Sequence, residues 1–260
     1  MVAKVIKRIY VFLIFVFLHA PIAMLIIFSF NNSKSRAHWD GFTLKWYARL
    51  LTDQAILRSL YITIVLAILA SIIATIFGTI AAIGIYKMRS LAAVIVTNLT
   101  YVPILNPDIV TGISLMLLFI SIKFPLGFFS LLISHITFSL PFVIISVLPK
   151  LRELNPQLLD AALDLGASPA YAYRNVILPQ ISQGIVTGFL LSFTMSIDDF
   201  VISFFNTGAG ISNLAITIYS MARRGINPKI NALLTLVFTT VILLTLVVNS
   251  RMSEKMGDER

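Results

Sequence analysis

The chain has 260 residues, of which 58% are hydrophobic and only 12% charged, with a mean hydropathy of +0.94; an ordinary soluble domain carries roughly 25% charged residues. That balance excludes a water-soluble enzyme core, and the absence of cysteine excludes disulfides, thiolate metal sites and a cysteine nucleophile. The net charge of +9 does not point to nucleic acid, because the basic residues stand singly along the chain and read as topology signals beside apolar spans.

A transmembrane helix takes about 20 mostly apolar residues, and the apolar runs predict six, at about 8–30, 59–86, 92–121, 126–149, 182–205 and 231–250. The first follows Lys4, Lys7 and Arg8 in the manner of a secretory signal. Its apolar run continues past Phe30 to Asn31-Asn32, beyond the roughly 7–15 residues of a signal core, so a retained helix is expected. The third joins two apolar halves across Asp108, an acid placed inside a helix that Pro103, Asn106 and Pro107 are expected to break. The fifth takes up the apolar start of 200–222 and stops at Asn206-Thr207-Gly208-Ala209-Gly210, leaving a short interfacial piece after it. No repeat, low-complexity tract or polar linker divides the chain, which reads as one membrane domain over 1–260, all-α in fold class.

With the N terminus inside, eleven of the twenty Lys and Arg fall on the inner side and nine on the outer. Five of those nine lie in the long 31–58 loop, where charge has less influence, and the short 122–125 turn holds only Lys123. Both termini are therefore expected in the cytoplasm.

Several chemistries have no residues to perform them. None of the nine lysines follows a glycine, so no phosphate-binding Gly-Lys loop exists and ATP hydrolysis by this chain is not expected. His19, His38 and His135 lie far apart with no H-E-x-x-H pattern, which leaves no zinc site, and His135 is expected to be a satisfied packing residue. There is no G-x-S-x-G nucleophile elbow.

The long polar stretch at about 150–181 has specific punctuation. Asn155-Pro156 predicts a helix start, Gly166 a stop about ten residues later, and Ser168-Pro169 a second start, with the second helix running to about Ile177. A cytoplasmic helix-turn-helix follows. In its first helix Leu158, Ala161, Ala162 and Leu165 recur at helical spacing, and Asp160 and Asp164 form an i, i+4 acidic pair. A small-residue side with projecting carboxylates suits docking into a basic groove of another protein, while spacing alone equally fits an amphipathic loop lying on the bilayer.

The pattern Asp160-Ala161-Ala162, three residues, Gly166, nine residues, Val176, one residue, Leu178-Pro179 resembles the EAA loop of bacterial ABC-importer permease subunits. Asp160 stands where that motif has Glu and Val176 where it has Ile, both conservative. Over the whole chain, the order of spans and the segments Tyr101-Val102-Pro103-Ile104-Leu105-Asn106-Pro107-Asp108 and Ser196-Ile197-Asp198-Asp199-Phe200 are similar to spermidine/putrescine-importer permeases of the second-subunit type. The resemblance implies a six-helix permease of the bacterial inner membrane. Its implied partners are a second permease subunit, two cytoplasmic ATPase subunits that bind the ATP, and a periplasmic polyamine-binding protein; the chain itself would hold no cofactor. Asp160, Ala161, Ala162, Gly166, Leu178 and Pro179 would make the ATPase coupling contact.

An ionised carboxylate at bilayer depth costs about 2.5–3.5 kcal/mol on insertion scales and usually faces a cavity or a partner. Asp108, Asp198 and Asp199 are such acids, and no Lys or Arg lies inside their helices. A mobile cation is the expected partner. Polyamines alternate ammonium groups with methylenes, so carboxylates interleaved with aromatic faces suit them. Ser196, Asp198 and Asp199 with Asp108 form the candidate pathway, and Trp46, Tyr101, Phe200 and Tyr219 are the available faces, Trp46 and Tyr219 foremost. Two other readings of the acids stay open: Asp108 as a helix cap at the interface, and one of the Asp198-Asp199 pair pointing away from any path. Alternatives for the whole chain are an ABC permease for another small cationic or organic substrate, or a secondary cation transporter using the acids for protons or sodium.

Overall fold

The computed structural model describes residues 2–34, 38–225, 228–240 and 242. Among them the chain is helical, without strands beyond one isolated bridge between Asn31 and Phe42. The helices are α1 (Val2–Ser29), α2 (Lys45–Leu51), α3 (Gln54–Lys87), α4 (Ser90–Leu105), α5 (Asp108–Ser121), α6 (Phe128–Glu153), α7 (Leu158–Asp164), α8 (Pro169–Ala172), α9 (Leu178–Gln180), α10 (Ser182–Asp198), α11 (Val201–Asn206), α12 (Leu214–Arg223) and α13 (228–240). Contacts divide the chain into two compact units, residues 1–57 with 218–260 and residues 58–217.

Among the described residues three helices are long and apolar enough to cross a bilayer alone: Lys4–Ser29, Gln54–Lys87 and Phe128–Glu153. Two bent pairs meet the same test together, Ser90–Leu105 with Asp108–Ser121 at 101° and Pro169–Gln180 with Ser182–Asp198 at 72°. The break expected within 92–121 falls at Asn106-Pro107, while Pro103 stays inside α4. Pro107 has no N–H to continue the ladder, and the residue before a proline is pushed to extended geometry; Asn106 duly sits at φ −73°, ψ 139°. The expected fifth span, 182–205, likewise ends at Asp198 and restarts as α11 after Asp199-Phe200. Of the expected sixth span, 231–250, residue 241 and those beyond 242 lie outside the described residues.

In the unit containing both ends of the chain, α1 has a wholly exposed apolar window, an area far larger than a soluble monomer leaves open. The 31–44 segment is organised by Asn31, whose amide donates to the His38 carbonyl at 2.9 Å and accepts from Asp40 N–H at 3.0 Å. At the start of α3, Asp53 pairs with Lys229 of α13. The Lys229 ammonium holds the Asp53 carboxyl below the ordinary carboxylate range.

In the 58–217 unit, α6 is the central element. The inward stripe of α3 is Ser59, Thr63, Leu66, Ala67, Ala70, Ser71, Ala74 and Ala82, mostly small, while Ile64, Ile68, Ile72, Ile76 and Ile80 face outward. Lipid tails are as apolar as these isoleucines, so helix association gains little from burying bulk and depends on close approach of small residues. Gly78 of α3 and Gly188 of α10 both meet Val143 of α6, and Gly184 meets the Ser146 carbonyl and Lys150. A Cβ added at Gly188 would stand 3.1 Å from Val143 Cα.

Gly188→Leu is therefore expected to destabilise the purified transporter in detergent by about 1–3 kcal/mol through overpacking. Gly84→Leu is the control, because nothing lies within 4 Å of a Cβ there. Thermal unfolding midpoints check this; an equal shift in both variants would remove the α6–α10 seam as the cause.

Candidate functional site

The break between α10 and α11 exposes backbone groups that a bilayer cannot satisfy. The Asp199 carboxylate supplies the missing acceptors, taking Ile202 N–H at 3.1 Å through one oxygen and Ser203 N–H at 2.7 Å through the other. His135 of α6 stands behind it, fully buried, with Nε2 at 3.5 Å from the same carboxylate. The His135 ring also bridges the break: Nδ1 is 2.7 Å from Ser196 Oγ on α10, and Nε2 is 3.0 Å from Ser203 Oγ on α11. Asn213 closes the node from the far side, donating to Ser203 Oγ at 2.7 Å and to the Asp199 carbonyl at 3.3 Å.

The node extends outward through buried polar residues. Asn206 donates to the Gly112 carbonyl of α5 at 3.0 Å, Ser130 of α6 to the Asn206 carbonyl at 2.8 Å, and Leu214 N–H to Thr63 Oγ1 of α3 at 2.8 Å. Gly208 lies so close to the Leu126 carbonyl that no side chain fits there. The segment carrying α11 and the turn after it is thereby pinned to α3, α5 and α6.

The two neighbouring acids have opposite surroundings. The Asp199 side chain is 6% exposed with its oxygens engaged; Asp198, the last residue of α10, is exposed. Asp108 opens α5 immediately after Pro107 and is exposed as well. Among the described residues neither the Asp108 nor the Asp198 side chain has a hydrogen bond or an ion pair. Asp199 differs from the other two acids in having the His135 ring beside its carboxylate. Ser196 is buried and faces His135. His135 is a satisfied packing residue as expected, and it carries more of the site than its isolation in sequence indicates.

Tyr101 on α4 is 43% exposed, and the Phe200 ring lies tilted against Phe204 with centroids 5.4 Å apart. Trp46 and Tyr219 belong to the other unit. The Trp46 indole is buried, donates to the Asn31 carbonyl at 2.7 Å, and has Lys45 Nζ 4.8 Å from its ring centroid. Tyr219 is half-exposed beneath Arg223 at 5.9 Å. Reading charges and aromatics along the sequence missed Ser203, Asn206 and Asn213; the signal available for them was an uncharged polar residue within an apolar run.

The 150–181 loop folds as a helix-turn-helix. Its first helix begins at Leu158 instead of Pro156, because Asn155 caps a turn by accepting Gln157 N–H at 3.0 Å. Gly166 stops it with φ +86°, a conformation that favours glycine. Ser168 caps the second helix, accepting Tyr171 N–H at 3.3 Å. That helix does not end at Ile177: residues Tyr173–Ile177 widen into a π turn, closed by Leu178 N–H bonding to the Tyr173 carbonyl, and helix continues to Gln180. Pro179 has no N–H for the α ladder, and a π turn is one way to absorb that. Leu158, Leu159, Ile177 and Leu178 pack onto the C-terminal half of α6, around Val147 and Leu151. Asp160, Ala161, Asp164 and Leu165 remain exposed, Leu165 at 90%. Beside them lies an open groove of about 500 Å³, lined in part by Ala162, Leu165, Gly166 and Tyr171.

Residues 74–253 match the family of binding-protein-dependent transport system inner membrane components. The chain is 38% identical over 252 residues to the spermidine/putrescine transport system permease protein PotC of Escherichia coli K12, covering 97% of this chain and 95% of that protein. It is 37% identical over 238 residues to the putrescine transport system permease protein PotI of the same organism, covering 87% and 83%. In fold it is similar to a chain in the crystal structure of a bacterial ABC transporter involved in the import of the acidic polysaccharide alginate, with a TM-score of 0.70, 18% identity, and 97% and 94% of the two chains covered.

The contrast between the neighbouring acids gives a direct expectation. Asp199→Ala removes the cap of α11 and is expected to cost about 1–2 kcal/mol of stability, whereas Asp198→Ala leaves the unfolding midpoint unchanged. Detergent unfolding of the two variants checks this; equal losses would mean that the carboxylate at 199 does not hold the break.

Proposed function

The chain belongs to the family of binding-protein-dependent transport system inner membrane components, and from that premise we propose that it is a permease subunit of an ATP-driven importer of polyamines, spermidine or putrescine. The observation that carries this reading is the pair of exposed, unpartnered carboxylates, Asp108 and Asp198, each at a break in an otherwise apolar helix. A charge in that position is costly unless a mobile cation meets it. Near full-length similarity to a spermidine/putrescine permease and to a putrescine permease supports the substrate class.

Six spans crossing as one domain over 1–260, with both termini cytoplasmic, place the 150–181 loop on the cytoplasmic side. Asp160, Ala161, Ala162 and Gly166 then meet an ATPase subunit, with Leu178 and Pro179 setting the second half of the loop. The groove beside the exposed Leu165 and the acidic pair supply the apolar and charged parts of that contact. Two such ATPase subunits hydrolyse the ATP, a second permease subunit completes the path, and a periplasmic binding protein delivers the polyamine. The chain itself performs no catalysis. Along the path Asp108 and Asp198 take the ammonium groups, and Ser196 and Asp199 hold the break beside Asp198.

Asp108→Asn and Asp198→Asn keep side-chain size and remove charge. Each is expected to lower initial polyamine uptake about tenfold, the scale of one hydrogen bond to a charged group, with the amount of transporter in the membrane unchanged. Unaltered uptake in the double variant would refute the cation path.

Gly166→Pro and Ala161→Arg are expected to abolish copurification of the ATPase while the membrane helices stay folded, since one spoils the left-handed turn and the other puts bulk on the contact face. Normal association in both variants would dismiss the docking assignment.

A further inference from the structure

His135 has a position that packing alone does not require. Its ring is 1% exposed, and its two nitrogens reach opposite sides of one helix break. Ser196, at 2.7 Å from Nδ1, is two residues before Asp198 in the last turn of α10. Ser203, at 3.0 Å from Nε2, lies in α11, and the Asp199 carboxylate that caps α11 is 3.5 Å from the same nitrogen. The ring is thus a strut between the two helix ends, carried by α6, a helix with a long buried face. The main-chain joint inside the strut is Asp198-Asp199-Phe200, and Asp198 is its exposed member.

We infer that His135 is a positioning residue, one that never touches substrate but fixes where the Asp198 carboxylate stands by locking the α10–α11 joint. The physical ground is that a carboxylate binds an ammonium group well only when held in place beforehand, and a residue at the end of a helix gains that rigidity only if the chain after it is anchored. Asn213, bonded to both Ser203 and the Asp199 carbonyl, anchors the joint from the other side but does not reach α10 in this way. Removing the ring leaves α11 capped by Asp199 yet untied from Ser196, so the joint can turn. This inference rests on the polyamine-import reading for its transport consequence, though not for its structural one.

The test uses two readouts on the assembled transporter in membranes. The chain has no cysteine, so Asp198→Cys provides a single thiol whose alkylation rate reports the position of residue 198 without any substrate. Adding His135→Ala is expected to change that rate severalfold. In uptake, His135→Ala is expected to raise KM for spermidine about tenfold in the native background and to add nothing in the Asp198→Asn background, the non-additivity of residues acting through one element. Should His135→Ala not reach the membrane, Ser196→Ala and Ser203→Ala each remove one end of the strut, and both are expected to alter the labelling rate. An unchanged rate in a folded variant overturns the inference, as do uptake losses from His135 and Asp198 that simply multiply. If the native transporter moves no polyamine while the rate still responds to His135→Ala, the substrate reading fails and the positioning role stands.

Discussion

Inside a bilayer no water is available to a free N–H or C=O, so a helix can be broken at depth only where the protein provides every lost partner. The Asp199 carboxylate meets that requirement for the first N–H groups of α11. Its charge is costly in the same place, and the cost is offset by the two charge-assisted backbone bonds. Everything near the break depends on this exchange. Without the cap, α11 has no start; without α11, Ser203 does not meet His135, Asn206 does not reach the Gly112 carbonyl, and the 207–213 turn loses its attachment to the helices.

The apolar framework answers the same constraint in another way. Since exposed isoleucines of α3 are as well solvated by lipid as by protein, the residues selected for contact are those that let backbones approach: Gly78, Gly184 and Gly188 against α6, and the serines and alanines of the α3 stripe. Close backbones leave room for short polar side chains and for little else. That is why the interior of this unit holds Ser130, Ser134, Ser139, Ser192, Ser196 and Ser203, a pattern that would be expensive in a soluble core and is ordinary here.

What was legible in the sequence follows from which signals are local. Helix stops at Gly166 and starts at Ser168-Pro169 are set by φ preference and capping within three or four residues, and the loop folds accordingly. Pro107 breaks its span as proline must, although how sharply, 101°, depends on packing that no local signal encodes. The roles of Asp198 and Asp199 were not separable by inspection, because adjacent residues on a helix end point in different directions and only the partner helix decides which is buried. The decisive partner, His135, lies more than sixty residues away in α6. Trp46 likewise presents an aromatic face in sequence, yet its indole N–H is engaged by the Asn31 carbonyl and its face by Lys45. The π turn at Tyr173–Ile177 is a compromise between Pro179 and the burial of Ile177, and neither residue alone announces it.

The 150–181 loop and Asp198 are joined by one element. The second half of the 150–181 loop meets α10 at 72° immediately before Ser182, and α10 runs unbroken for 17 residues to Asp198. At about 1.5 Å per residue that is about 25 Å of continuous helix, so a displacement at the loop reaches the acid without an intervening joint. What limits such a displacement is the α6–α10 seam at Gly184 and Gly188, where backbones touch and no long side chains interlock. A seam of that kind resists separation but opposes sliding less than interdigitated leucines would. The joint after Asp198 must then absorb the motion or pass it on, and the choice lies with the buried ring of His135. A stiff lever and a single controlled joint thus lie within one chain, in α10 and the α10–α11 break.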